Sequence, residues 1–387
     1  MAESRIRGRD YRTLQSVELH SENGLITRIL PLPDDADLPV MAPGLVDLQV
    51  NGFGGLDFNH FPFSTEMVEQ VTQLLWQQGV TTFMPTVITA SSETIELAVS
   101  RVAEACQQHE IVKRAVAGIH LEGPFLSPQD GPRGAHPLAH IKAPDWALFR
   151  RWQQAAAGKI ALLTISPEWP QAGEFIRECV ASGVRVSIGH TAATAENITE
   201  AVVAGATLST HLGNGAHLQL PRHPNYIWQQ LAEDRLACAL IADGDHLPTS
   251  VLKVFMRAKE EQVFLVSDVT RFAGMPAGQY SSPIGGRVEL SADGRLSVAD
   301  QPQLLAGSAK GLFTGVNHLL TQQLTTRQLA LEMASLRPAR QLNLPVQYGL
   351  APGAPCDLIL LRQELTGNLR LQSTWKTGEK VWEACSQ

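Results

Sequence analysis

The sequence contains no run of 18 or more apolar residues, so it offers no segment able to cross a bilayer as a helix. It has no excess of basic residues either. Lys and Arg number 31 against 38 Asp and Glu, a net charge of -7. That balance argues against nucleic acid or an anionic membrane as a partner. The opening residues, MAESRIRGRDYR, lack the apolar stretch of a signal peptide, and the cytoplasm is the expected compartment. No C-x-x-C pair occurs. The five cysteines, Cys106, Cys179, Cys238, Cys356 and Cys385, are odd in number and widely spaced. A disulfide framework or zinc ribbon is therefore not expected, and reduced buried thiols are. There is no low-complexity tract and no short repeat. What is present is 387 residues, 44% hydrophobic and 18% charged. That suits one large domain with a sizeable core plus a small one.

Apolar, β-rich runs alternate with amphipathic segments. The runs lie at 45–50, 81–87, 115–121, 160–166, 184–189, 206–210, 238–242 and 263–267. Between them, 65–78, 93–108, 173–182, 194–204 and 247–259 repeat apolar residues at three- and four-residue spacing. Eight strands alternating with helices predict an α/β chain closed into a (β/α)8 barrel. Polar residues mark the C-terminal ends of these strands, the rim where barrel enzymes gather catalytic groups. Both chain ends read differently. Short strands are expected at 12–19 and 24–32, around a turn at Glu22-Asn23-Gly24, and again at 356–362 and 379–384. Residues 1–42 and 347–387 are thus expected to build one small β-sandwich, and 43–346 the barrel.

Four rim residues carry the chemical reading. His190 and His211 each close an apolar strand run. A single histidine there is most simply a satisfied polar residue, but two on consecutive strands about 4.8 Å apart can share an ion. Glu122 follows a third strand; its alternative is an ion pair with a rim Arg or Lys. Two histidines and one glutamate form a zinc ligand set that leaves a position open for water. Asp268 ends the last strand, placed to pass a proton, although an Asp there also serves as a turn cap. The first strand holds Asp47, Gln49 and Asn51, expected on one face by alternation. The His-x-His of two-metal sites is missing there, which points to one divalent ion per chain. The ligand types favour Zn2+, with Fe2+ or another divalent ion as alternatives. His120 is expected to pack behind Glu122. His217 is expected near the site or in solvent.

The ordered segments PGLVDLQVNGFGG (43–55), HLEGPF (120–125), GAHP (134–137), SIGHT (187–191), STHLGN (209–214), IADGDH (241–246), LVSD (265–268) and LAGSA (305–309) resemble the N-acetylglucosamine-6-phosphate deacetylase family of the amidohydrolase superfamily. The similarity spans nearly the whole chain. It implies a barrel plus a terminal β-sandwich, usually as a homodimer. It implies that Glu122, His190 and His211 are ligands and Asp268 the catalytic acid/base, with His136 polarising the substrate carbonyl. Gln49 fits the single-metal branch. Asn214, Gly215, Arg222 and His246 fall at substrate positions, the last two at phosphate contacts, with His246 supplied across a dimer interface. Residues 211–217, HLGNGAH, depart from the family's usual His-Leu-x-Asn-Ala-Met.

The expected reaction is hydrolysis of the N-acetyl amide of an amino sugar phosphate, N-acetylglucosamine-6-phosphate first. Alternatives keep the ion and change the substrate to N-acetylgalactosamine-6-phosphate, an N-acyl amino acid or a cyclic amide. A barrel without catalysis, used for binding, and a metal-free phosphate-binding barrel with a catalytic Lys are the remaining rivals.

Overall fold

A computed structural model describes residues 3–282 and 286–385. Eight parallel strands form one continuous sheet in chain order. They are β1 (Leu45–Val50), β2 (Val80–Ile88), β3 (Ile119–Glu122), β4 (Ile160–Ile165), β5 (Arg185–Ile188), β6 (Leu208–Ser209), β7 (Ala237–Leu240) and β8 (Val263–Leu265). A parallel bridge, Val50 to Val269, joins the first edge to the chain just past the last, and the sheet closes as a barrel. All eight expected strands are present. The third starts later than expected, because 110–115 is a helical turn, Glu110–Ala115.

Nearly every strand residue is buried, as expected of parallel strands covered on both faces. The outer layer consists of helices such as α1 (Thr65–Trp76) and α2 (Ser92–Gln108), whose starts are capped by the Ser64 and Ser91 hydroxyls. Val68, Val71 and Leu75 of α1 turn onto the strands. A second apolar cluster, including Val46, Leu48, Met84, Leu162, Phe264 and Val266, packs with Ala339 of the helix Leu336–Gln341. Leu342, Leu344 and Val346 cover it. The polar residues are left at the strands' C-terminal ends.

The chain ends share a seven-strand sheet. Val40–Pro43 pairs with Leu358–Gln363, so the two termini meet side by side. The strand expected at 12–19 begins at Ser16, and Glu3–Asp10 and Leu369–Lys376 add strands not anticipated from pattern. Between Val40–Pro43 and β1 stands only Gly44, where a Cβ would lie 2.3 Å from Thr81 Oγ1. Lys376 ties this sheet to the barrel: buried, it meets Asp357 at 2.6 Å and donates to Thr82 of β2 at 3.2 Å. A further antiparallel sheet, Gly278–Ser282, Gly286–Leu290, Leu296–Val298 and Gln301–Leu305, follows β8 and was not foreseen. Its strands are short and their residues mostly polar or small, which hides them from periodicity. The five cysteines are unpaired and only Cys385 is exposed. Among the described residues no helix is long and apolar enough to cross a membrane.

The seam between β1 and β8 departs from the expected alternation. The pairing of β1 with β2 shifts register between Asp47 and Val50. Asp47 Oδ1 accepts from the backbone N–H groups of Gln49 (3.3 Å) and Ser267 (3.1 Å), standing in for ladder bonds. Its Oδ2 is buried without a partner. Burial pushes the Asp47 carboxyl up to about 7, against the pull of those bonds. The folded chain therefore keeps a proton that the unfolded chain has released. Asp47's favourable contribution is complete below the ordinary value of 3.8 and is lost as pH rises through about 7. Asp47→Asn, which keeps the accepting oxygen, should flatten the fall of Tm across that window. Parallel Tm–pH slopes for the two chains would refute the seam's titration.

Candidate metal centre and catalytic site

Three strand ends deliver ligating atoms to one point. Glu122 is the last residue of β3; His190 and His211 each stand two residues beyond β5 and β6. Glu122 Oε1 lies 3.0 Å from His211 Nε2 and 3.3 Å from His190 Nε2. The two Nε2 atoms are 3.1 Å apart. Atoms bound to one tetrahedral ion at ~2.0–2.1 Å stand roughly 3.3 Å from each other, so this triangle has the size of a coordination face. All three side chains are buried.

Proton placement supports the same reading. His190 Nδ1 is 2.9 Å from the carbonyl of Pro132, which only accepts, so Nδ1 carries the proton. In the neutral ring this leaves the Nε2 lone pair facing His211. A shared cation satisfies both imidazoles and the carboxylate together; without one, His211 must place a proton between them. Burial would raise the Glu122 carboxyl, but the imidazoles of His190 and His211 beside it hold it well below the usual range. Burial would lower His211, but Glu122 raises it. The residues present fit a divalent ion.

His136 also has a ligand atom within 4.8 Å of those of Glu122 and His190. That spacing is looser than the 3.0–3.3 Å triangle, so the triangle is the better nest for an ion. His136 Nδ1 instead meets Thr89 Oγ1 at 2.9 Å, and its ring stands edge-on to His190. Burial pushes His136 down to about 3, so it is neutral near pH 7. Thr89 had no signal in the sequence.

The first strand supports both halves of the site. Gln49 Nε2 donates to Glu122 Oε1 at 2.9 Å, and Asn51 Nδ2 donates to Asp268 Oδ1 at 2.8 Å. Burial and the neighbouring Glu122 charge raise the Asp268 carboxyl. His190, His211 and Asp268 all have positive φ, 49°, 27° and 51°. The chain bends sharply where these side chains leave the strands.

His120 is committed elsewhere. Its nitrogens meet the Leu48 carbonyl at 3.0 Å and Thr164 Oγ1 at 2.7 Å, and burial lowers it to about 4. A cavity of about 830 Å³ opens over Glu122, His136, His190, His211 and Asp268. Asn214, Gly215, His217 and His246 line it. Asn214 bonds the His211 carbonyl, and His217 Nδ1 meets the Tyr226 hydroxyl at 3.0 Å. Gly215 has φ +57°, and a Cβ there would lie 2.6 Å from His190 Nδ1. His246 Nδ1 meets Asp243 Oδ2 at 2.7 Å, which fixes the ring. Arg222 is different: it is exposed and outside the cavity lining. Arg271 and Arg295 are in that lining, and Arg295 comes from the unforeseen sheet. No lysine lines the cavity among the described residues, which leaves a Schiff-base route without its nucleophile.

Comparison with known proteins gives the family of the whole chain. The amidohydrolase family model matches residues 40–381. An N-acetylgalactosamine-6-phosphate deacetylase of Shewanella sp. (strain ANA-3) is 33% identical over 350 residues, covering 89% of this chain and 84% of its own. The human N-acetylglucosamine-6-phosphate deacetylase is 32% identical over 359 residues, with the same coverage. Among solved structures, the N-acetyl-D-glucosamine-6-phosphate deacetylase of Mycobacterium smegmatis, as a mutant in complex with N-acetyl-D-glucosamine-6-phosphate, superposes with a TM-score of 0.84. It is 26% identical and covers 98% of this chain and 99% of that one.

Metal-stripped protein titrated with Zn2+ should gain thermal stability, since an ion at 100 times its Kd adds about 2.7 kcal/mol. His211→Ala should show little of that gain. An equal rise in Tm for both chains would place the ion elsewhere.

Proposed function

This chain belongs to the amidohydrolase family, and from that premise we propose that it removes the acetyl group of N-acetylglucosamine-6-phosphate, giving glucosamine-6-phosphate and acetate. It is a hydrolase acting on an amide bond. The observation that carries the reading is the Glu122–His190–His211 triangle with Asp268 beside it, at the floor of the cavity. Glu122, His190 and His211 would hold one divalent ion, Zn2+ by ligand type. Such an ion supplies Lewis acidity, lowering the pKa of water from 15.7 to about 7 and polarising a carbonyl oxygen.

The remaining steps belong to the side chains. Asp268, held through Oδ1 by Asn51, keeps its other oxygen for the proton of the attacking water. Its raised pKa makes it a better base than an exposed aspartate. It then gives that proton to the departing nitrogen. His136 is neutral and anchored to Thr89, so its second nitrogen can donate to the carbonyl oxygen as charge develops there. Asn214, Gly215 and His246 line the space that the sugar would fill. Arg222 is exposed and outside that lining, so as a phosphate contact it would have to come from the partner in the homodimer we propose, while His246 lines the cavity of its own chain. A cytoplasmic location completes the reading.

The epimer N-acetylgalactosamine-6-phosphate is the second reading. It is favoured by the Shewanella relative, whose 33% identity equals that of the human glucosamine enzyme within a point.

Asp268→Asn should lower kcat by about 10²- to 10⁴-fold while one ion per chain remains. Acetate release and metal analysis on the same preparation check this. Near-normal turnover in the variant would remove Asp268 from the mechanism.

A further inference from the structure

We infer that Glu168 is a positioning residue of the metal centre: its carboxylate ties together the two loops that hold the backbone of His190. The inference rests on the reading that Glu122, His190 and His211 bind a divalent ion.

The ligand triangle draws Glu122 from β3 and His190 from beyond β5, while β4, which runs between them, supplies neither. Glu168 stands three residues past the end of β4. Its Oε1 accepts from the Ser127 hydroxyl at 3.0 Å. Its Oε2 accepts from the Ser166 hydroxyl and from the Ala192 N–H, both at 2.8 Å. One carboxylate thus spans the loop after β3, the end of β4 and the loop after β5. Hydrogen bonds to an ionised acceptor are about twice as strong as neutral ones.

Both ends of this span reach His190. The Ser127 N–H donates to the His190 carbonyl at 2.9 Å. Ala192 follows His190 by two residues, and Thr191 between them is caught as well. Thr191 Oγ1 meets Ser166 Oγ at 2.8 Å and accepts from the Ala193 N–H at 3.0 Å. Ser166 gives its proton to Glu168, so Thr191 donates to Ser166 and every hydroxyl is satisfied. Ser127, Ser166 and Thr191 are buried, and a partner lost there is not replaced by solvent.

His190 needs such a hold. Glu122 lies within the strand ladder, whereas the pairing of β5 with β4 ends at Ile188, two residues short of His190. Its φ of 49° is one that non-glycine residues seldom keep unless their surroundings impose it. A ligand nitrogen must stay within about 0.2 Å of its bonding distance, so small movements of this backbone cost affinity. Glu168 is outside the cavity lining and acts only through His190.

The test titrates metal-stripped wild type, Glu168→Ala, Glu168→Gln and Ser127→Ala with Co2+. It follows the visible absorption bands, which report the geometry around the ion, and the Tm of each metal-free chain. Glu168→Ala should bind Co2+ about 10- to 100-fold more weakly, the loss usual for outer partners of ligands, with altered bands. Glu168→Gln can still accept from Ser166 and Ala192 and donate to Ser127, so it should recover most of the affinity and the wild-type bands. Ser127→Ala cuts one arm and should fall between. If Glu168→Ala does not fold, Ser127→Ala decides: weaker binding supports the inference and unchanged binding overturns it. A lower Tm in Glu168→Ala with affinity and bands unmoved makes Glu168 a loop brace alone and overturns it. So does a Gln variant as impaired as the Ala variant. A wild type that fails to bind one Co2+ per chain removes the metal centre itself, and the inference falls with it.

Discussion

The structure turns on one buried negative charge. Glu122 ends β3 with almost no exposure to solvent, and an ionised carboxylate cannot stay there uncompensated. Stripping one partner from a buried ionic group costs about 3–5 kcal/mol, a large share of the stability of an ordinary domain. Its compensation comes from three other strands. His190 and His211 approach from β5 and β6, and Gln49 from β1. No two of these four are neighbours in sequence, so only a closed barrel brings them together. The register shift at Asp47 belongs to the same requirement. It leaves Gln49 turned to Glu122, and Asn51, just past the strand, turned to Asp268.

The turns that follow the strands complete the arrangement. His190, His211 and Asp268 adopt left-handed backbone that non-glycine residues seldom take. Such positions cost on the order of 1–3 kcal/mol each and persist where the surroundings hold them. Here the hold is visible. His190 is bonded to Pro132, and a Cβ at Gly215 or Gly134 would crowd its ring; Asp268 is bonded to Asn51. His and Asp tolerate this conformation better than branched residues do. The residue types that ligate and transfer protons are thus also those that can turn these corners.

Strand alternation and rim chemistry made the barrel and its four central residues legible, because buried parallel strands read as apolar runs and polar residues stop them. The resemblance added His136, whose anchor Thr89 lies on the loop after β2 and carries no pattern of its own. Asp47 was misread as a face-mate of Gln49, since a register shift is invisible to a period of two. The inserted sheet escaped notice for a different reason. Its strands are three to five residues long and largely polar, so neither periodicity nor hydrophobicity sets them apart from a loop. Arg295 was hidden with it. Arg222 was placed at a phosphate contact by the resemblance alone, which says nothing of where an exposed side chain points.

This division separates chemistry from recognition. Glu122, His190, His211 and Asp268 sit on or just past barrel strands, whose ladder bonds on both sides fix the backbone. The loop after β8 and the antiparallel insert, which packs through its own small cluster of Phe272, Val288, Leu290 and Leu296, line the cavity beyond them. The insert can therefore change in length or charge without moving Glu122, His190 or His211. A scaffold so built keeps its reaction while its substrate drifts. Relatives acting on two different acetylated hexosamine phosphates stand at 32% and 33% identity to this chain, as such a scaffold would allow. The residues that choose between such sugars are then to be sought in the cavity's upper wall, in the Gly213–Leu218 loop and the inserted sheet, rather than among the ligands.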